Sequence, residues 1–596
     1  MQNLLKGMFF VCSCLFLPVG SAVWAQQYEV TVEHNVAVQM RDGVTLRADI
    51  YRPKDPGKFP VLLARTPYNK DHSPVFDPTF GNLGAAKGYV VILQDVRGRF
   101  TSDGQWYPFK FDAQDGYDTI EWAAALPYSD GQVGMVGSSY LGYDQLLAAI
   151  TRPPHLKGIF PIIAPSNLYS ELVHQGGALN QWVVEDWTTA AALVSLLQKV
   201  PESMNVKART ATLPITSYPL LGLPTEHQLA PFFYDWLKHP SYDEYWRQWA
   251  VDENASKITV PAFLVDGWYD IFLNGAIENY ESIKSSGGSD NARQNVRLLI
   301  GPWYHGPFNV KVGDVDFGPE SKIYGLQMVD LIFRWYDHLL KGEQNGVDSG
   351  KSVTYFVMGK NQWQQADTWP PQPSHQMRFY LQSKGNANSL QGDGELVSSD
   401  PGPAAPDHYI YDPADPVPTT GGATCCDKKD FVAGAFDQRD VEARKDVLVY
   451  STPVFKEDFV IAGPVRVDLY ASSSAKDTDF TAKLVDVWPN GFVQNLTEGI
   501  LRARYRNSRE TPELMHPGTV YKFSIDLWAT SDDFLPGHRL RVEISSSNFP
   551  HFSRNLNTGN DLADNATMIK ATNTIYHGPE QPSALVVTVL DAAPQK

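Results

Sequence analysis

An α/β chain, with a mostly parallel sheet, a helical insertion and a following β-sandwich, is predicted from three features. Apolar runs rich in β-branched residues end in Gly/Pro turns, as strands covered on both faces do. From 167 to 256 this patterning gives way to a stretch rich in Trp, Leu, Ala and Gln. Beyond about Pro370 the hydrophobic period becomes two, the mark of half-buried strands.

Residues 26–166 form the first part of the α/β domain. Strands are expected at Val44–Tyr51, Val61–Ala64, Val90–Gln94, Val133–Val136 and Gly158–Ile163. The fourth runs into Gly137-Ser138-Ser139-Tyr140-Leu141-Gly142 and then into a helical stretch from Tyr143 to Ile150. A serine between glycines at a strand-to-helix turn is the nucleophile elbow of α/β-hydrolases. Small flanking residues permit the sharp turn, the hydroxyl stands clear of the sheet, and the next amide, that of Tyr140, faces the developing oxyanion. Leu141 stands where the second glycine of G-x-S-x-G belongs, and Gly142 follows it. A purely structural Gly/Ser turn is the alternative reading of the motif alone.

Residues 167–256 read as a helical cap, with helical spacing from Trp187 to Val200. The α/β domain resumes over 257–370. Val260–Val265 runs into Gly267-Trp268-Tyr269-Asp270, and Asn295–Ile300 into Gly301-Pro302-Trp303-Tyr304-His305. The hydrolase order is Ser, acid, His, with each partner at the carboxyl end of a later strand. Ser139 is therefore the candidate nucleophile, His305 the base that takes its proton, and Asp270 the carboxylate that holds the imidazole tautomer. Asp266 competes with Asp270 but is read as a turn residue at the strand terminus. Tyr324–Lys341 is an amphipathic helix whose apolar surface includes Leu331, Phe333, Trp335 and Leu339. Pro370–Ser374 marks the boundary to residues 371–596. There Val465, Val467 and Leu469 alternate with polar partners, as Leu540, Val542 and Ile544 do with Arg539, Arg541 and Glu543, which suggests a β-sandwich.

Residues 1–25 carry Lys6, an apolar stretch from Met8 to Val19 and a small-residue ending at Ala25, the pattern of a secretory signal peptide cleaved before Gln26. The mature chain is thus expected to be secreted or periplasmic, with no membrane span, since no apolar run is long enough. Cys12 and Cys14 leave with the leader. Cys425-Cys426 remains, as a vicinal disulfide or as two thiols, and makes a poor metal site. A net charge of −17 argues against nucleic acid as a partner, because that affinity needs clustered Lys/Arg. No P-loop, dinucleotide fingerprint or H-E-x-x-H occurs, so neither cofactor nor metal is expected.

The motifs in series resemble one family. Arg65-Thr66-Pro67-Tyr68, Gln94-Asp95-Val96-Arg97-Gly98 with Ser102-Asp103-Gly104, the Ser139 elbow, and the Asp270 and His305 segments occur in its order. Asp526-Leu527-Trp528-Ala529-Thr530 and Ser545-Ser546-Ser547-Asn548-Phe549-Pro550 follow. From about Val44 to Val586 the chain resembles the cocaine-esterase-like (CocE/NonD) acyl hydrolases, relatives of the X-Pro dipeptidyl peptidases and of the glutaryl-cephalosporin acylase and α-amino-acid ester hydrolases. The resemblance implies a jelly roll for the C-terminal sandwich, and an oxyanion hole in which the Tyr68 hydroxyl joins the Tyr140 amide. Asp95 and Arg97 are read as a pair that pins a loop.

Relatives that hold a free α-ammonium need carboxylates near the nucleophile, and the resemblance places acidic residues shortly after the catalytic aspartate. Here Ile271-Phe272-Leu273-Asn274 follows Asp270, which favours an acyl group without an amine. Phe272 is a pocket candidate, with a core role as the alternative. Trp182 and Trp187 of the cap are pocket candidates too, with packing the favoured role. The expected function is a secreted serine hydrolase cleaving small-molecule carboxylic esters or acyl amides. An X-Pro aminopeptidase or α-amino-acid ester hydrolase is the alternative, as is a carbohydrate- or surface-binding protein on a degenerate hydrolase scaffold.

Overall fold

The computed structural model describes residues 28–73, 76–197, 209–323, 326–426, 429–561 and 563–591. The expected leader at 1–25 lies outside them. The first domain is built on ten strands: β1 (Val30–Gln39), β2 (Thr45–Pro53), β3 (Phe59–Thr66), β4 (Val90–Asp95), β5 (Ser129–Ser138), β6 (Leu156–Ile162), β7 (Ala262–Tyr269), β8 (Val296–Tyr304), β9 (Val353–Val357) and β10 (Gln362–Ala366). They lie side by side in the order β1-β2-β4-β3-β5-β6-β7-β8-β9-β10. From β4 through β9 every pair is parallel, while β1, β2 and β10 join antiparallel. All residues of β4 and β7 are buried, as expected of strands with helices on both faces.

Close helix packing on this sheet is paid out in glycines. The helix Leu326–Lys341 lays Tyr336 over Gly134 of β5 and Leu339 over Gly158 of β6, where a Cβ would stand 2.2 Å from each side chain. Phe333 and Trp335 of the same helix are fully buried. Between β6 and β7 the chain leaves the sheet and forms helices, chiefly Gln181–Leu197 and Pro231–Lys238.

From Ser374 onward the chain is sheet-rich. Eleven strands share one hydrogen-bonded network, led by the long antiparallel pair Phe459–Ser473 and Tyr521–Phe534. Val465, Val467 and Leu469 face its core, as do Leu540, Val542 and Ile544. Arg541 and Glu543, the polar partners of the alternation, are buried as well, which period-two patterning does not anticipate. Their face is covered by the segment carrying Glu442, whose carboxylate accepts from Arg541 at 2.6 Å, and Lys483, opposite Glu543 on the neighbouring strand, lies 3.8 Å from it. A loop of this domain reaches back to the first. Cys425 pairs with His305 in a parallel β-bridge, and Ala435 with Gly313. Cys425 and Cys426 are joined as a vicinal disulfide, with Cys425 buried and Cys426 exposed.

Candidate active site

The elbow forms where β5 meets the helix Tyr140–Ala149. Ser139 sits between them at φ 58° and ψ −120°, a conformation L-residues adopt only when their surroundings enforce it. The enforcement is visible on both sides. A Cβ on Gly137 would stand 2.3 Å from the Leu141 Cβ, and one on Gly142 would stand 2.9 Å from the Ile162 oxygen and 2.8 Å from the Ala164 Cβ. Position 141 can therefore carry a side chain because Gly137 yields to it. Position 142 cannot, because the helix is pressed against the end of β6. The Ser139 amide is spent on the Ile162 carbonyl at 2.8 Å. Tyr140 opens the helix, and its N–H is among the four that a helix start leaves without an intrahelical acceptor.

β7 and β8 run further than their apolar cores suggest, which places the two aspartates differently. Asp266 lies inside β7, completely buried, with one oxygen on the Gly267 amide at 2.8 Å. Burial, reinforced by neighbouring Asp270, holds its pKa well above the ordinary carboxyl value. Asp270 follows the strand end, takes the Phe272 amide at 2.8 Å, and lies 3.0 and 3.1 Å from His305 Nδ1 through its two oxygens. His305 follows β8 directly, and its Nε2 is 2.9 Å from Ser139 Oγ. The three side chains thus form one hydrogen-bonded line. Asp270 is buried while Ser139 and His305 are partly open, so the reacting end of the line is accessible and its anchoring end is dry.

Tyr68 stands in the loop after β3, its amide held by Thr66 Oγ1 at 3.0 Å. Its hydroxyl oxygen accepts the Trp187 indole N–H at 3.0 Å. Burial raises its pKa, opposed by that bond and by the Arg99 guanidinium. Asp95 ties this loop to the next one, accepting from the Lys70 amide at 2.8 Å and from the Thr101 hydroxyl at 2.8 Å. Asp95 and Arg97 both pin loops, but not as a pair. Arg97 instead grips Asp115 at 2.6 and 2.9 Å and Asp42 at 2.7 Å. The Tyr140 phenol is committed to structure: it gives its proton to buried Asp112 at 2.5 Å and accepts the Phe109 amide at 3.1 Å.

Phe272 is buried, with its ring meeting the His305 imidazole edge-on at 5.3 Å. Trp182 is also buried, gives its N–H to the Cys425 carbonyl at 3.1 Å and packs on Phe431 at 4.3 Å. Its contacts are with the loop of the C-terminal domain that flanks His305. Trp187 is partly buried within a ring cluster of Trp106, Phe109, Phe232 and Trp236. Sequence reasoning missed Arg99, Trp106 and Phe109, which frame Tyr68 and Tyr140. Their only signal was position, in the loop after β4. Among the described residues no cluster of three or more His, Cys, Asp or Glu is arranged to hold a metal ion.

A serine set on a strained turn, hydrogen-bonded to a strand-end histidine backed by a buried aspartate, is the arrangement of a serine hydrolase. The comparisons narrow the class. A family model described as X-Pro dipeptidyl-peptidase (S15 family) matches residues 42–307, and one described as X-Pro dipeptidyl-peptidase C-terminal non-catalytic domain matches residues 345–586. The chain is 38% identical over 581 residues to the cocaine esterase of Rhodococcus sp. (strain MB1 Bresler), covering 94% of this chain and 99% of that one. Among solved structures it is similar to an aminopeptidase from the marine sediment archaeon Thaumarchaeota archaeon, with TM-score 0.82, 27% identity, and 98% and 100% of the two chains covered. It is similar also to an α-amino acid ester hydrolase, with TM-score 0.80, 26% identity, and 97% and 100% covered. The chain belongs to the CocE/NonD family of serine ester hydrolases.

Proposed function

We propose that the chain is an exported hydrolase of carboxylic esters that works through an acyl-enzyme on Ser139. The observation that carries this is the line Asp270–His305–Ser139, with contacts of 3.0 and 2.9 Å. Ser139 Oγ attacks the ester carbonyl carbon while its proton passes to His305 Nε2. The negative charge that collects on the carbonyl oxygen is met by the Tyr140 N–H and the Tyr68 hydroxyl. Collapse breaks the ester C–O bond, and the departing alkoxide takes the proton from Nε2. A water then gives a proton to Nε2, attacks the acyl carbon and releases the acid, returning Ser139. Asp270, fixed by the Phe272 amide, holds Nδ1 as the protonated nitrogen and stabilises the imidazolium in both half-reactions.

The acyl group is proposed to be uncharged. Ile271, Phe272 and Leu273 behind Asp270 are buried and apolar, and Phe272 lies against the imidazole itself. An α-ammonium there would have to lose its hydration without a carboxylate from this segment. The ester specificity named for the Rhodococcus relative fits the same reading. The test is hydrolysis of p-nitrophenyl butyrate by the mature chain beside Ser139→Ala, which keeps the fold and abolishes turnover. Equal rates in the two proteins would remove Ser139 as nucleophile. Export rests on the leader pattern at 1–25. An N-terminus at Gln26 on protein recovered outside the cytoplasm is the expected result, and retention of Met1 inside it would refute export.

A further inference from the structure

We infer that Trp187 of the cap is a positioning residue for the oxyanion hole: its indole N–H, given to the Tyr68 hydroxyl oxygen, leaves the phenol's own proton to the reacting carbonyl and strengthens it as a donor. The inference rests on the reading of Tyr68 as an oxyanion donor. Its basis is direction. An indole N–H donates and cannot accept, whereas a phenol has one proton to give and two lone pairs. With Trp187 on one lone pair at 3.0 Å, Tyr68 cannot spend its proton on this neighbour. A donor bound to a hydroxyl oxygen also polarises it, so the O–H becomes a better donor in turn. An asparagine or serine at this place would permit the opposite arrangement, with the phenol giving its proton away.

Trp187 is held firmly enough to do this. Its ring lies nearly parallel to Phe109 at 6.5 Å and to Trp236 at 6.1 Å, with Trp106 and Phe232 each at 5.8 Å. Trp106 is covered in turn by the Arg99 guanidinium, 3.4 Å from its ring centre. Arg99 reaches the helix that carries Trp187, bonding the Ala191 carbonyl at 3.3 Å and Ser195 Oγ at 2.8 Å, one and two turns further on. Phe109, from the same loop as Arg99 and Trp106, stacks on Tyr140 at 4.2 Å and gives its amide to the Tyr140 phenol. One loop therefore references both oxyanion donors, and the cap helix is keyed to that loop. Docking of the cap completes the hole as well as covering it.

The test is a double-mutant cycle on the full mature chain, with kcat and KM measured on p-nitrophenyl butyrate for Trp187→Phe, Tyr68→Phe and the pair. Site-specific 3-benzothienylalanine at 187, which keeps the bicyclic shape without the N–H, guards against a packing defect in the phenylalanine variant. Loss of the indole donor is expected to lower kcat about tenfold with KM within about twofold, the scale of one hydrogen bond felt in the transition state. In the Tyr68→Phe background the same change at 187 should lower kcat no further. An equal loss in both backgrounds, a raised KM with kcat intact, or wild-type kcat for the benzothienyl protein would each overturn the inference. If Tyr68→Phe alone keeps wild-type kcat, it is the oxyanion reading of Tyr68 that falls, and the role of Trp187 falls with it.

Discussion

The proposed oxyanion hole draws on two tyrosines, Tyr68 through its hydroxyl and Tyr140 through its amide, and Tyr140→Phe separates that amide from the Tyr140 phenol. The phenol removed gives its proton to Asp112 at 2.5 Å and accepts the Phe109 amide at 3.1 Å, all within the buried interior. Its loss strands the Phe109 amide and leaves Asp112 to Arg65, its charged partner 3.2 Å away. A buried group left unsatisfied costs about 1–3 kcal/mol, so two of them, one still partly compensated, amount to about 2–4 kcal/mol of folding stability. The deficit should grow with pH. Burial already raises the Asp112 pKa, and the Tyr140 bond works against that rise. Without it the folded-state pKa climbs further, the native state holds a proton the unfolded chain has released, and stability falls as pH passes above the ordinary aspartate range. Catalysis should be nearly spared, because in the proposed mechanism the backbone N–H of residue 140, not its phenol, meets the oxyanion. Urea unfolding at pH 5 and pH 8, beside kcat on p-nitrophenyl butyrate, reads both quantities. A hundredfold fall in kcat with unchanged unfolding would refute this division and make the Tyr140 phenol a participant in the chemistry.

Four further outcomes are expected. Asp270→Asn keeps the fold but lets His305 settle in the wrong tautomer, lowering kcat by about 10⁴; a loss under tenfold in steady-state assays would show that Asp270 is not the orienting group. Gly142→Ala pushes a methyl to 2.9 Å from the Ile162 oxygen and destabilises the chain by about 1–3 kcal/mol while moving the Tyr140 amide, so both Tm and kcat should drop; a wild-type Tm would show that the elbow has slack. A dithiol reductant opens Cys425–Cys426, whose first residue bridges to His305 and takes the Trp182 N–H, so wild-type kcat should fall while the Cys425→Ser/Cys426→Ser protein is indifferent; reductant-independent wild-type rates would count against a supporting role for this turn. Burial pushes Glu543 up to about 8, so its proton is kept by the folded chain and lost by the unfolded one from the ordinary glutamate range to that value. Stability should therefore decline with pH across this window, and Glu543→Gln should flatten the decline in thermal unfolding scans; an unchanged slope would place the dependence elsewhere.

The line from Ser139 to Asp270 was legible in the sequence because two things that chemistry demands are written locally. The elbow needs small residues at fixed places, and the partners need strand-end loops that apolar runs announce. What stayed hidden is whatever depends on contacts between distant segments. Asp266 looked like a turn residue because an apolar run shows where a strand's core lies and not where its ladder stops; β7 in fact continues to Tyr269. Alternation marks Leu540, Val542 and Ile544 as one covered face and is silent on whether the segment carrying Glu442 covers Arg541 and Glu543 on the other. Arg97 and Asp95 look like a pair because side chains two apart on a strand share a face, yet the strand ends at Asp95 and the chain turns at Arg97-Gly98, so each side chain finds a separate partner.

The same limit explains why Trp187 was read from sequence as packing. An indole in a helix rich in Ala, Leu and Val has no local mark that separates a core residue from one with a working N–H. Only the approach of the loop after β3 gives that proton a recipient, the Tyr68 oxygen. The cost of the arrangement is a buried guanidinium, Arg99, whose pKa burial lowers to about 10 and whose Nε has no hydrogen-bond partner among the described residues. A site that needed only to roof the nucleophile would gain from an apolar side chain there, since an uncompensated buried charge is expensive. If Tyr68 and Tyr140 meet the oxyanion as proposed, a cation kept beside them is costly in the resting protein and most useful when negative charge develops on the substrate. On the proposed oxyanion reading, the contacts of Arg99, Trp106 and Trp187 tie the cap to the transition state more closely than to the bound ester.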